Sequence, residues 1–193
     1  MKSIVVFCGS SEGYNEAYRE QAYELGSKLA QRGIRIIYGG AKVGLMGAVA
    51  DGALLHGGEV VGVIPEFLKT TEVAHEGLTQ LITVSTMHAR KLKMHELSDG
   101  IIAMPGGWGT MEELFEMLTW GQLGLHSKPV VLLNVGGFWN PLLAQLDLMA
   151  RARLLQPAGR DLIRQARSPD EALSVLTAAA PAQPEKWITA EER

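Results

Sequence analysis

The chain of 193 residues contains a single cysteine, Cys8. One thiol forms no disulfide within the chain, and it cannot supply the cysteine ligands of a structural zinc site. Cys8 ends the apolar run 4–8, so we interpret it as a small buried side chain, with a catalytic thiol as the alternative. The sequence therefore excludes a disulfide framework and a Cys-based zinc site.

Long apolar runs are also missing. No stretch reaches the roughly 18 apolar residues that a membrane-spanning helix needs. The first apolar run is short and passes directly into Gly9 and Ser10, without the longer apolar segment and cleavage site of a secretory signal. We therefore expect a cytoplasmic protein without a membrane partner.

An excess of positive charge is missing as well. Lysine and arginine number 18 against 21 acidic residues, which gives a formal net charge of -3. Nucleic-acid binding needs a basic field, so we expect no nucleic-acid partner, whereas a small anionic ligand remains possible. His88 and His95 are seven residues apart, but no carboxylate-rich ligand set accompanies them, and we expect no metal site.

Short apolar runs alternate with longer amphipathic segments along the chain. Strands that are apolar on both faces and separated by helices predict a parallel sheet that is covered on both sides. We predict an α/β fold, a Rossmann-like doubly wound parallel sheet, in a single domain at 1–180, followed by a tail at 181–193. Strands are predicted at 3–8, 34–38, 60–64, 81–84, 101–104 and 130–135, and helices at 15–32, 45–56, 87–97, 111–123, 141–152, 160–166 and 170–179.

Three of the predicted strands end in glycine-rich loops, at 8–11, 39–47 and 105–110. Ligands of such folds bind at this edge of the sheet, where glycine lets backbone amides approach an anion. The loops contain neither a Walker A sequence nor the dinucleotide fingerprint Gly-x-Gly-x-x-Gly after the first strand. They predict an anion site, with Gly9, Ser10 and Gly40 among its residues.

The third loop leads into the sequence Thr110-Met111-Glu112-Glu113. The spacing fits a capping box, in which Thr110 caps the helix and Glu113 reaches back to the cap amide. A glutamate in the first turn, beside amides available to a phosphate, is equally placed to handle a proton or a cationic centre. Both interpretations stay open at this point.

The predicted helix 87–97 carries cations on its apolar stripe. At 100° per residue, Arg90 and Lys91 share that stripe with Met87 and Met94. Inward-facing cations need an anionic partner, and the alternative is snorkelling, with buried stems and solvated heads. The helix 111–123 is apolar around more than one face, which predicts burial at a subunit interface.

Two motifs that follow one another along the chain resemble those of the LOG ("Lonely guy") family of cytokinin riboside 5'-monophosphate phosphoribohydrolases, long labelled as lysine decarboxylases. They are Met87-His88-x-Arg90-Lys91 and Pro105-Gly106-Gly107-x-Gly109-Thr110-x-x-Glu113. The segment 39–47 resembles the family's other glycine-rich segment, with Ala41 in place of a frequent third glycine. The resemblance covers 3–178 and implies hydrolysis of the N-glycosidic bond of a nucleoside 5'-monophosphate, as in an AMP nucleosidase.

The resemblance also implies roles for individual residues and a homodimer with active sites at or near the interface. Arg90 and Glu113 match the catalytic pair. The positions that match substrate-binding residues are Glu72, Lys91, Gly107, Trp108, Gly109, Thr110, Met111, Glu112, Glu113 and Thr119, together with Arg90.

The implied chemistry suits these residue types. Glycosidic cleavage passes through a positively charged, oxocarbenium-like transition state. A carboxylate such as Glu113 stabilises that charge or activates water, and Arg90 holds a ribose or phosphate oxygen and orients Glu113. Neither a metal nor an organic cofactor is required.

Two other functions compete with this one. A pyridoxal-phosphate lysine decarboxylase needs a Schiff-base lysine and an acidic partner, and Lys91 is the only tempting lysine. A non-catalytic nucleotide carrier or sensor would bind AMP without cleaving it. The sequence leaves open whether the base is adenine or an N6-modified adenine.

Overall fold

The structure is a computed structural model that describes residues 1–69 and 74–178. Its strands are β1 (Ser3–Phe7), β2 (Arg35–Tyr38), β3 (Val60–Pro65), β4 (Gln80–Val84), β5 (Gly100–Ala103), β6 (Val130–Leu133) and β7 (Ile163–Ala166). Its helices are α1 (Glu16–Gln31), α2 (Gly44–Leu55), α3 (Met87–Glu96), α4 (Trp108–Gln122), α5 (Asn140–Arg151), α6 (Pro157–Arg160) and α7 (Pro169–Ala178).

The strands of the described residues form one parallel sheet in the order β4-β3-β2-β1-β5-β6-β7. The chain builds outward from β1 to β4, returns to the other side of β1, and continues outward to β7. The loops after β1 and β5 therefore diverge at the centre of the sheet, which is the switch point where ligands of doubly wound folds bind. The predicted fold class is confirmed.

The sheet is buried on both faces, and β1 illustrates why. Ile4 and Val6 pack on the side of α1, α2 and α7, while Val5 and Phe7 pack on the side of α3, α4 and α5. Successive side chains of a strand point to opposite faces, so a strand covered by helices on both sides is apolar throughout. Helix α1 begins at an Asn15 cap, whose side chain accepts a hydrogen bond from the Ala17 amide at 3.1 Å.

One predicted helix is wrong. The segment 160–166 was expected to be helical, but α6 ends at Arg160 and the edge strand β7 follows, with Arg164 and Gln165 exposed. Strand β7 pairs with β6, for example Val130 with Ile163. Hydrogen bonding to a distant strand overrides the local helical pattern, and no local periodicity reports it.

The tail predicted at 181–193 lies outside the described residues. Among the described helices, none is both long enough and apolar enough to cross a membrane.

Candidate functional site

The loops that follow β1, β2 and β5 are tied together at the carboxyl edge of the sheet. The Gly9 amide donates to the Pro105 carbonyl at 3.0 Å, and the Leu45 amide donates to the Gly9 carbonyl at 3.0 Å. A Cβ on Gly44, whose φ is +60°, would lie 2.3 Å from the Ser10 carbonyl carbon. Gly44 is therefore required by both conformation and close approach.

Helix α4 begins three residues before the predicted start, and this excludes the capping box. Gly107 is the N-cap, and no described side chain caps the helix there. Thr110 is the third residue of the helix and is buried. A Cβ on Gly106 would lie 2.1 Å from the Thr110 hydroxyl oxygen, so the loop packs directly on this side chain. A glycine-rich loop supplies the cap position because its backbone turns there without a side chain.

The next two glycines face open space. A Cβ built on Gly107 or on Gly109 meets no described atom within 4 Å. Internal packing therefore gives no reason for glycine at either position. Bare backbone at a helix N-terminus leaves amides accessible to an anion.

A pocket of about 140 Å³ lies beside this helix start. It brings together many of the predicted site residues from four separate segments of the chain. Its lining residues are Cys8, Gly9, Ser10, Met46, Arg90, Gly107, Trp108, Gly109, Thr110 and Glu113. The side chain of Trp108 is 92% exposed and stands at the rim.

Arg90 is buried at one side of this pocket. Its Nε donates to the Val63 carbonyl at 3.0 Å, and its Nη2 donates to the Gly39 carbonyl at 2.8 Å. A Cβ on Gly39 would lie 2.3 Å from that Nη2, so the guanidinium needs glycine at this position. Snorkelling is excluded for Arg90, because the charged group itself is buried and held by backbone carbonyls.

Lys91, the next residue, reaches in another direction. Its ammonium pairs with Glu112 and with Glu116, the latter at 3.1 Å, and its side chain is 5% exposed. The hydrogen bonds and charges of these two carboxylates raise the pKa of Lys91 in spite of the opposing effect of desolvation, which is the largest single influence. The cation predicted to need an anionic partner thus has two, both on α4.

Cys8 forms part of the pocket wall. Burial, and secondarily the charge of Glu113, raise the pKa of this thiol far above its ordinary value. The thiol therefore stays protonated and is a poor nucleophile, which supports the interpretation as a small buried side chain.

Several predicted binding residues lie away from the pocket. Gly40 packs against Leu81 and Ile64 instead. Thr119 is exposed and donates its hydroxyl hydrogen to the Phe115 carbonyl at 2.8 Å. The other residues absent from the pocket lining are Lys91, Met111 and Glu112. Glu72 lies outside the described residues.

The carbonyls that hold Arg90 are the functional atoms that sequence reasoning missed. Gly39 belongs to a glycine-rich segment that the sequence did single out, but Val63 sits in an ordinary apolar strand. Met46, which also lines the pocket, comes from the first turn of α2. Backbone acceptors leave no signature in residue identity, so only the fold reveals them.

A larger cavity of about 610 Å³ opens on the α1 side of the same loops. It shares Gly9, Ser10 and Gly107 with the smaller pocket. Its far wall contains the aromatic side chains of Tyr14, Tyr18 and Phe138.

Known proteins resemble this chain over nearly its whole length. A family profile described as "Possible lysine decarboxylase" matches residues 46–176. The cytokinin riboside 5'-monophosphate phosphoribohydrolase of Rhodococcoides fascians is 47% identical over 91% of this chain and 89% of its own. The chain belongs to the LOG family. The family's LOG1 enzyme of Arabidopsis thaliana is 44% identical over 91% of this chain and 82% of its own.

Solved structures share the fold of this family member. The molybdenum cofactor binding protein from Rippkaea orientalis superposes with a TM-score of 0.70 and 26% identity, over 92% of this chain and 97% of its own. The Moco carrier protein from Chlamydomonas reinhardtii gives a TM-score of 0.68 at 22% identity, over 91% and 95%. At that identity, the second likeness speaks for the fold alone.

Proposed function

We propose that this protein hydrolyses the N-glycosidic bond of a nucleoside 5'-monophosphate and releases the free base and ribose 5-phosphate. The observation that carries the proposal is the pocket in which Arg90 and Glu113 line the same space as the glycine-rich start of α4. The names of the family members cited above support the same reaction. We propose AMP and N6-modified AMP, such as a cytokinin riboside 5'-monophosphate, as substrates.

In this proposal the 5'-phosphate binds at the N-terminus of α4. The absence of packing around Gly107 and Gly109 supports close approach of an anion to their backbone. The helix dipole favours negative charge there. Gly9, Ser10, Trp108 and Thr110 line the same pocket and are available to the substrate.

Glu113 and Arg90 act on the ribose. As the bond to the base breaks, positive charge develops on the sugar, and the Glu113 carboxylate stabilises that charge or accepts a proton from the attacking water. Arg90 is held rigidly by two carbonyls, so it presents its charge without reorganisation to a ribose or phosphate oxygen. The residues involved need no metal or organic cofactor for these steps.

Thr119, one of several predicted binding residues outside the pocket lining, supports a homodimer with sites near the interface. Thr119 follows Glu113 by six helical residues, which places it about 9 Å further along α4 and turned by about 120° around the helix axis. Thr119 is exposed, so its side chain is available to another molecule. We propose that Thr119 contacts the substrate of a second copy. The predicted cytoplasmic location stays a prediction.

A nucleotide carrier remains the second candidate, because the fold is shared with a molybdenum cofactor binding protein. A carrier needs anion-binding amides but has no use for a carboxylate directed at the sugar. The old decarboxylase label is less well supported. Lys91 is paired with two carboxylates that hold it protonated, whereas a Schiff-base lysine must be deprotonated to react.

The test is chromatography of the products after incubation with AMP and, separately, with isopentenyl-AMP. We expect base and ribose 5-phosphate in equal amounts, and a loss of about 100-fold or more in kcat for Glu113→Gln, which keeps the shape of the side chain but loses its charge. Tight binding of either nucleotide without products would favour the carrier. Full activity of a folded Glu113→Gln variant would contradict the role given to Glu113.

A further inference from the structure

The ion cluster that Lys91 forms with Glu112 and Glu116 of α4 lies outside the pocket lining, and two of its members are next in sequence to the proposed catalytic residues. Arg90 and Lys91 are consecutive on α3, and Glu112 and Glu113 are consecutive on α4. One member of each pair lines the pocket, and the other member takes part in the cluster. The cluster therefore connects the same two helices that carry the reacting side chains.

We infer that Lys91 is a positioning residue, which holds α4 against α3 and thereby sets the place of Glu113 relative to Arg90. The inference rests on the proposed function and deepens it. It differs from the direct substrate contact that the family resemblance implies for Lys91.

The contacts of Lys91 support this role. Its side chain is buried, and its ammonium pairs with Glu112 and Glu116, one helical turn apart on α4. Two of the three donors of an ammonium group are thereby used within the protomer. A substrate phosphate would have to compete with two carboxylates for this cation.

Glu116 is the more buried of the two carboxylates that pair with Lys91. Its Oε2 atom is buried and accepts no hydrogen bond from the described residues, so the pair with Lys91 is the contact that compensates the charge. Breaking a buried pair leaves an uncompensated charge and forces local rearrangement. A shift of about 1 Å in a reacting group costs up to about 100-fold in rate. Loss of Lys91 should therefore act on catalysis through Glu113.

Arg90 and α4 are held in different ways. Arg90 donates to the carbonyls of Gly39, directly after β2, and of Val63 in β3, so the sheet helps to fix its position. Helix α4 has an open, glycine-rich start without a side-chain cap in the described residues. The ion pairs of Lys91 with Glu112 and Glu116 add a connection from α3 to α4.

The experiment compares Lys91→Met with Lys93→Met, a matched control on the same helix whose lysine makes an exposed pair with Glu96. Steady-state kinetics with AMP give kcat and KM, and AMP affinity is measured in a Glu113→Gln background. For Lys91→Met we expect kcat to fall about 10- to 100-fold, with KM and AMP affinity within about threefold of the parent. The control should match the wild type.

Three further variants separate positioning from simple stability. Lys91→Arg keeps the charge and should recover much of kcat. Glu116→Gln should lower kcat at constant KM. The double variant Lys91→Met with Glu116→Gln should have a kcat no lower than that of Lys91→Met alone, because both changes break the same ion cluster. If Lys91→Met does not fold, Glu116→Gln tests the inference by the same criterion, a lower kcat at unchanged KM.

A rise of tenfold or more in KM at unchanged kcat would show that Lys91 binds substrate, and it would overturn the inference while leaving the hydrolase intact. Wild-type kcat in folded Lys91→Met would overturn it as well. Wild-type protein without any hydrolysis of AMP or isopentenyl-AMP would instead remove the proposed function, and the inference would fall with it.

Discussion

At the scale of single residues, the site depends on how a buried cation is held. Arg90 gives up its hydration and donates hydrogen bonds to two backbone carbonyls instead, which offsets part of the cost of burying its charge. Gly39 makes this arrangement possible, because any side chain there would collide with the guanidinium. The buried position of the Arg90 guanidinium therefore requires glycine at position 39.

Gly39→Ala should displace Arg90. The added methyl group would lie 2.3 Å from Nη2 of Arg90 and 2.9 Å from the sulfur of Met46, so both flexible side chains must move. We expect kcat/KM for AMP to fall about 10- to 100-fold and the free energy of unfolding to fall by about 1–2 kcal/mol. Kinetics and urea titration measure both, and unchanged kcat/KM would argue against a catalytic part for Arg90.

Cys8 should be unreactive in the folded protein although it lines the pocket. Its raised pKa, caused first by burial and then by Glu113, keeps the thiol protonated at neutral pH. A disulfide reagent should modify it only after urea unfolds the chain, and Cys8→Ala should keep activity within about threefold. Rapid labelling of native protein, with loss of activity, would revive the catalytic thiol.

At the scale of elements, the end of α3 packs against the segment that precedes β6 through a basic cluster. The rings of His95 and His126 lie 4.9 Å apart, and the Lys128 ammonium donates to the His95 carbonyl. Partial burial, then Lys128 and His126, lower the pKa of His95 to about 4. Burial and Lys128 lower the pKa of His126 as well.

This cluster should make the fold sensitive to acid. In the folded state His95 stays neutral down to about pH 4, whereas the unfolded chain takes up the proton near the ordinary value of 6.5. The unfolded state therefore binds more protons between these values, and the free energy of unfolding falls as the pH drops from 6.5 towards 4. For this partly exposed group we expect a loss of about 1 kcal/mol.

Urea unfolding at pH 7 and pH 5 measures the effect. His95→Gln should flatten the pH dependence, while His88→Gln, an exposed histidine on the same helix, should leave it unchanged. Equal pH dependence in the wild type and His95→Gln would exclude His95 as its source.

At the scale of the whole molecule, the sheet topology brings the site together and α3 and α4 present it. Phe115 and Thr119 are both exposed and lie one turn apart on α4, and α3 also has an exposed apolar side chain, Leu92. Exposed apolar residues beside a functional site are typical of an interaction surface. They favour the proposed second copy on this side of the sheet.

Phe115→Asp should therefore give a monomer that has lost most of its activity, since a charge at an apolar interface is costly and Thr119 no longer reaches a neighbouring site. Sedimentation velocity and AMP kinetics measure the two effects. Leu55→Asp, an exposed leucine at the end of α2 on the other side of the sheet, should remain dimeric and active. A wild-type monomer with full activity would contradict both the dimer and the role of Thr119.

The sequence by itself determined the alternation of strands and helices, the glycine-rich strand ends and the inward stripe that carries Arg90 and Lys91. These features are local, because periodicity and turn formation depend on residues that are close together in the sequence. The predicted helix at 160–166 is wrong, because pairing with β6 overrides the local pattern there. Helix α4 begins three residues before its predicted start, where Gly106 packs on Thr110. Only the tertiary structure decided that Arg90 donates to two backbone carbonyls and that Lys91 pairs with carboxylates of α4. Those partners come from segments 21 to 51 residues away, and the sequence does not record which backbone atoms folding brings within hydrogen-bonding distance.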